Sequence, residues 1–157
     1  MRLWHQTLIP YLDSKRLVAQ HRECCALRGR GWNRKHKTVD YIFNYSLGYL
    51  YSYHLMVMHE MTRRNFNVNC SWYNRLYRGE VLGMATISKV GIHVYSVPTI
   101  EAVPHGRLKM VYPEHDDNYL RECLLLLKKK GTELTNGKTI DEMLIELDLK
   151  HGICEHR

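Results

Sequence analysis

The chain has 157 residues, 23 Lys and Arg against 16 Asp and Glu, and a formal net charge of +7. That length suits a single domain with a real core, and 45% hydrophobic with 25% charged residues excludes disordered and fibrous classes. The longest apolar runs, such as Cys123-Leu124-Leu125-Leu126-Leu127, are far too short to span a bilayer, and the start Met1-Arg2-Leu3-Trp4-His5 lacks the apolar segment of a signal peptide. Five cysteines, an odd number with Cys24 and Cys25 adjacent, argue against a disulfide framework and for a reducing, cytoplasmic setting.

Four helices are expected in chain order. The first follows Asp13-Ser14 and runs from Lys15 to about Arg28 before Gly29, with Leu17, Val18, His21, Cys24 and Cys25 as its apolar stripe and Arg22 and Glu23 beside that stripe. A short helical turn over Thr38 to Phe43 precedes the second helix. That one opens at Ser46, carries Leu47, Leu50, Tyr51, His54, Leu55, Met58 and Met61 on one face, and closes at Arg63-Arg64-Asn65. The third begins near Asp116-Asp117, places Leu120, Cys123, Leu124 and Leu127 at helical spacing, and ends in Lys128-Lys129-Lys130 before Gly131. The fourth carries the capping box Thr139-x-x-Glu142, then Ile140, Met143, Leu144 and Leu147, and is expected to stop at Gly152. Between Gly79 and Val111, glycines and prolines interrupt runs such as Ile92-His93-Val94-Tyr95. This reads as an inserted loop or small β-hairpin near 80–110. The expected architecture is all-α, a compact bundle of three to four helices in one domain over 1–157.

Charge is unevenly placed. Residues 1–79 carry 13 basic and 4 acidic side chains, a net +9, whereas residues 80–157 net −2. Arg22, Arg28, Arg30, Arg34, Lys35 and Lys37 fall close together with Trp32 and His36 among them. Such a stretch suits a phosphate backbone, with Trp32 available to stack on a base, but a solvated basic loop explains the charge equally well. Glu23 is unusual because a carboxylate in a cationic surface opposes phosphate binding. A local ion pair with Arg22 or Arg16 is its simplest explanation from sequence alone.

Other constellations carry less. His54 and His59 lie five residues apart, about 140° round a helix, so they do not share a face. No Cys-x-x-Cys pair and no zinc-protease spacing follows, and no metal or cofactor is expected. The tyrosines and methionines of the second helix read as core, and Cys24 and Cys25 as buried small hydrophobes rather than nucleophiles.

Four motifs in order carry a resemblance. Leu17-x-Ala19-x-His21-Arg22-Glu23, following Thr7-Leu8, resembles the first helix of the bacteriophage pyrimidine-dimer DNA glycosylase family of the endonuclease V type, which has an aromatic-Arg-Glu triplet at that offset. Arg63-Arg64-Asn65-Phe66-Asn67-Val68 is similar to the exit of that family's second helix. Tyr77-Arg78-Gly79 is similar to its Phe-Arg-Gly, and Tyr112-Pro113-Glu114-His115 to the segment before its third helix. The resemblance covers about residues 1–79 and 111–130.

It implies an all-α enzyme that recognises pyrimidine dimers in UV-damaged double-stranded DNA, breaks the glycosidic bond and nicks the abasic site by β-elimination. It implies that the α-amine of the first mature residue is the nucleophile and that the acid matched by Glu23 is the catalytic carboxylate. Arg2 is too large for initiator removal, so Met1 is expected to remain and its amine to attack. Arg2, Arg22, Arg28, Arg30 and Arg34 are the expected DNA contacts; Arg28 is the nearest match to a cationic family position occupied here by Ala26. Chemically, an α-amine with a pKa of about 7.7–8.0 is unprotonated roughly 10–15% of the time at pH 7, against about 0.04% for an ordinary lysine, and only the free amine attacks C1′. A monomer needing no cofactor, metal or membrane is expected. A glycosylase for a different lesion, or a non-catalytic nucleic-acid-binding protein of the same fold, are the alternatives.

Overall fold

The computed structural model describes residues 1–90 and 110–155. Among them it is helical, with no named strand: α1 spans Ser14–Arg28, α2 Leu47–Arg63, α3 Ile87–Val90, α4 Asp117–Lys129 and α5 Ile140–Glu155. Short 3-10 turns cover Gln6–Tyr11, Asp40–Asn44 and Cys70–Tyr73. The all-α bundle expected from periodicity is therefore observed.

The ends follow local chemistry. Asp13 caps α1 by accepting from the Arg16 N–H at 3.1 Å, and Asp116 caps α4 by accepting from the Tyr119 N–H at 2.8 Å. The Thr139–Glu142 box is reciprocal: the Glu142 N–H donates to Thr139 Oγ1 and the Thr139 N–H donates to Glu142 Oε2, both at 3.1 Å. Gly131 closes α4 in the left-handed region at φ 67°. Ser46 sits at the N-cap of α2 as expected, though without a side-chain capping bond. One boundary differs from expectation: α5 continues through Gly152 to Glu155 because one glycine weakens a helix without ending it.

The predicted insertion is only partly described. Residues 77–84 form a tight turn joined by a single antiparallel bridge, Tyr77 to Met84, followed by α3, which packs on α2. The Ile92–Tyr95 run lies outside the described residues.

One hydrophobic core joins both halves. α1 packs on α2 and α4 packs on α5, and Leu3, Leu8 and Leu12 from the N-terminal segment meet Leu17, Leu27, Leu50, Tyr53, Val57 and Leu124. Arg64, at the end of α2, donates to the carbonyls of Leu12 at 2.7 Å and Pro10 at 3.1 Å. His115 accepts the Gln6 N–H at Nδ1 (3.0 Å), so its Nε2 carries the proton and donates to Tyr41 Oη at 2.7 Å. His5 Nε2 in turn donates to the His115 carbonyl at 2.8 Å. These bonds fix where the start of the chain runs.

The α1 stripe is displaced from the expected one. Its fully buried residues are Leu17, Gln20, Cys24, Leu27 and Arg28, while Val18, His21 and Cys25 are half-buried. Two polar side chains therefore sit on the core face of α1, and both shape the site.

Candidate active site

Residues 1–4 pass across α1 and are held there by Gln20. Its Oε1 accepts the Trp4 N–H at 2.7 Å and the Tyr53 hydroxyl at 3.1 Å, and its Nε2 donates to the Arg2 carbonyl at 3.0 Å. The Tyr53 hydroxyl also reaches the Trp4 carbonyl at 2.6 Å. Tyr119 donates to the Leu3 carbonyl and Thr38 to the Met1 carbonyl. Four side chains from four parts of the chain thus grip four consecutive carbonyls, those of Met1 to Trp4.

This places Glu23 against the start of the chain. Its Oε2 accepts from Gln20 Nε2 at 3.0 Å and from the Arg2 backbone N–H at 3.4 Å. Burial pushes the Glu23 carboxyl above its ordinary range. The Arg2 N–H, the charge of the terminal amine, Gln20 and His36 all oppose that rise by favouring the anion. The local ion pair expected for Glu23 is not formed: Arg16 pairs with Asp13 at 3.1 Å instead, and Arg22 projects to solvent on the exposed side of α1. The carboxylate's partners are an amide and a backbone N–H, both of which leave it a net anion.

Met1 itself lines an open cleft of about 610 Å³ with Arg30, Arg34, Lys35, His36, Trp72, Arg78 and the turn Gly79–Leu82. Arg30, Arg34 and Lys35 are exposed. The loop that presents them turns tightly at Gly31, where a Cβ would lie 2.8 Å from the Ala26 carbonyl oxygen, so no larger residue fits. Asn33 adopts φ 65° two residues on.

Arg28, expected on the DNA surface, is 2% exposed. Its NH1 donates to the Trp72 carbonyl at 2.8 Å and to His54 Nδ1 at 3.0 Å. Its NH2 donates to the carbonyls of Asn74 at 2.9 Å and Tyr77 at 3.0 Å. The guanidinium also lies over the rings of Tyr51 and Trp72, at 5.2 and 5.0 Å. Burial lowers its pKa to about 10, which still leaves it charged at neutral pH. Arg28 binds the 72–77 segment to α1 and α2 and has no donor turned outward. Arg2 differs from expectation more mildly. It is largely covered, and its side chain pairs with Glu122 at 3.1 Å on α4 and lies over Tyr119. Trp32 packs edge-on against Phe43 at 5.1 Å on the core side rather than standing free to stack.

His21, Cys25 and His54 bring their ligand-type atoms within 4.8 Å of one another across α1 and α2. Intrahelical spacing cannot reveal such a trio. Arg28 is only a donor, so His54 Nδ1 accepts and its Nε2 carries the proton, which it gives to His21 Nδ1 at 2.8 Å. The lone pair a metal would need on His54 Nε2 is thus a donor position, and the adjacent guanidinium opposes a cation. The trio acts as a hydrogen-bonded chain, Arg28 to His54 to His21. Burial lowers both histidines, pushes the Cys25 thiol up to about 11 and raises Cys24 well above its ordinary value, so neither cysteine is a thiolate nucleophile. His59, as expected, faces away from His54 and is exposed.

The side chains that organise the site, Gln20, Tyr53, Thr38 and Tyr119, escape sequence reading because each acts on backbone far away in the chain. Comparison with known proteins bears on this region. Residues 1–74, the stretch containing Met1, Glu23, the cationic loop and Trp72, match the family model of pyrimidine dimer DNA glycosylases. No curated protein and no solved structure matches the chain.

Proposed function

With its first 74 residues matching the pyrimidine dimer DNA glycosylase family, we propose that the protein is a glycosylase/AP lyase for pyrimidine dimers in UV-damaged duplex DNA. The observation that carries this reading is the placement of Glu23. Its carboxylate rests on the backbone N–H of the residue that follows Met1, while Met1 opens onto a cleft lined by Arg30, Arg34 and Lys35. A carboxylate serves phosphate binding poorly but serves sugar chemistry well.

The Met1 α-amine, as the free base, attacks C1′ of the damaged nucleotide, and the glycosidic C–N bond breaks with its electrons leaving on the base. Loss of a proton from nitrogen, with opening of the sugar ring, gives the imine. Removal of a C2′ proton then expels the 3′-phosphate, breaking the strand by β-elimination. Glu23 stabilises the positive charge that develops at C1′ and carries protons during imine formation and elimination. Its two donors, Gln20 and the Arg2 N–H, hold the carboxylate oriented, and their neutrality leaves its charge available to the sugar. Arg22, Arg30 and Arg34 hold the phosphates; Arg2 does so only on leaving Glu122. Arg28 positions the segment beneath the cleft.

The test is plasmid nicking. The protein nicks UV-irradiated plasmid selectively over untreated plasmid, and borohydride traps it covalently on damaged DNA through its first residue. Equal treatment of both plasmids, or a trapped adduct located at a lysine, overturns the proposal.

A further inference from the structure

The cleft has one wall unlike the others. After Trp72 the chain forms a turn whose tip, Glu80-Val81-Leu82, projects beside the cationic loop, and Val81 is 70% and Leu82 42% exposed. Met84 follows at 55%. Single exposed apolar residues are commonplace, but two adjacent ones on the rim of a cationic cleft, with a third exposed two residues on, are not.

The turn is also rigidly built. Gly79 and Gly83 adopt φ 97° and 61°. The Gly83 N–H donates to the Gly79 carbonyl and the Arg78 N–H to the Gly83 carbonyl, each at 2.8 Å, and the Ala85 N–H reaches the Leu76 carbonyl at 2.7 Å. Arg78 clamps the base of the turn to the end of α1, donating from Nε to the Arg28 carbonyl at 2.8 Å and from NH2 to the Gly29 carbonyl at 3.1 Å. Behind it, Trp72 and Tyr77 pack edge to face at 4.9 Å. A tip so braced transmits force, where an unbraced loop would fold away.

We propose that Val81 and Leu82 form an apolar wedge that enters the base stack of duplex DNA when its backbone lies along Arg30, Arg34 and Lys35. The occupant follows from charge complementarity: the cations on the same cleft recruit a polyanion, and the part of a polyanionic duplex that accepts aliphatic side chains is the step between bases. The proposal rests on the glycosylase reading and deepens it, because a base in the stack must be unstacked before an amine can reach its sugar. The wedge lies beyond residues 1–74 and is a separate device from the catalytic pair. Glu80, the one acid lining this cleft among the described residues, stands next to the wedge, where it repels phosphate and favours seating of the tip between strands rather than against one.

The experiment places 2-aminopurine opposite or beside an abasic-site analogue in a short duplex and follows its fluorescence on titration with protein. Wild-type protein raises the fluorescence severalfold as the base unstacks. The double variant V81S/L82S binds the duplex with an unchanged salt dependence but loses most of that rise, and the conservative V81I/L82M restores it. All positions changed are exposed, and circular dichroism and thermal unfolding verify the fold. A full fluorescence rise with V81S/L82S, or none with wild type, overturns the wedge. Selective nicking of irradiated plasmid by wild type is scored separately: if it nicks without unstacking the probe, the wedge fails and the enzyme reading stands; if it unstacks the probe without nicking, the reverse holds.

Discussion

The Gln20 amide donates to Glu23 Oε2 and to the Arg2 carbonyl through the same nitrogen, at 3.0 Å in each case. One buried side chain thus sets both the carboxylate and the path of the chain that carries the terminal amine. The geometry of the proposed catalytic pair is a property of α1, whose one-turn spacing between residues 20 and 23 puts both groups on the side that faces residues 2–4.

Substituting Gln20 separates these roles. Gln20→Ala leaves the Trp4 N–H and the Arg2 carbonyl unpaired in a buried region, and it is expected to lower stability by about 2–4 kcal/mol in urea unfolding. A purely structural role predicts nothing further. Because Glu23 also loses one of its two donors, the acidic limb of its kcat/KM profile is expected to move to higher pH. A destabilised variant with an unmoved limb shows that Gln20 does not position the carboxylate.

Glu23→Gln retains shape and most of the hydrogen bonding while removing charge. Loss of a group that stabilises charge and moves protons lowers the rate of nicking by about 10²–10⁴-fold, with DNA affinity unchanged or slightly raised, since an anion has left a cationic surface. In the wild type, burial sets the carboxyl above its ordinary value. Activity therefore falls on acidification at a pH above 4.5, and a limb at or below that value contradicts the placement of Glu23 among its neighbours.

The architecture was largely legible from the chain. Helical periodicity, Asp13, Asp116, the Thr139–Glu142 box and Gly131 located the long helices to within a residue or two at most ends, since caps and apolar spacing are local properties. The triplet at residues 21–23 led to Glu23 for the same reason. What was not legible is tertiary. The +9 charge of residues 1–79 counts Arg28 and Arg34 alike, yet one faces four acceptors in two segments and the other faces water. Glutamine on a helix carries no sign of burial, so Gln20 was invisible until residues 2–4 were placed. The His21–Cys25–His54 trio spans two helices, and no spacing within either predicts it.

Stability also depends on pH, through histidines buried without charge. His115 is lowered to about 3 by burial and by the neighbouring His5, and His54 falls well below its ordinary value by burial and by Arg28 and His21. Both are neutral in the folded state and protonate near 6.5 when unfolded, so their contribution is intact above about pH 6.5 and is lost as pH falls toward the folded values. By pH 5 the loss through His115 alone amounts to about 2 kcal/mol. Glu23, raised by burial, opposes this trend, whereas Glu60, lowered by Arg63 and Arg64 against the effect of burial, keeps its contribution through this range and loses it only at lower pH. Urea midpoints are expected to drop between pH 7 and pH 5, and His115→Asn to flatten that slope. An identical slope in the variant shows that other groups carry the acid sensitivity.

Arg28 and Arg34 divide cleanly in a salt titration. Each phosphate contact contributes about 0.9 to the slope of log K against log salt on duplex DNA. Arg30→Ala and Arg34→Ala, both at exposed positions lining the cleft, are each expected to lower that slope by about one while leaving unfolding unchanged. Arg28→Met does the reverse. It strands the carbonyls of Trp72, Asn74 and Tyr77 and the Nδ1 of His54, and costs about 3–5 kcal/mol of stability. Folded molecules of that variant, measured at low temperature, retain the wild-type slope because no phosphate contact has been removed. A lowered slope in Arg28→Met, with stability unaltered, instead returns Arg28 to the DNA-facing surface.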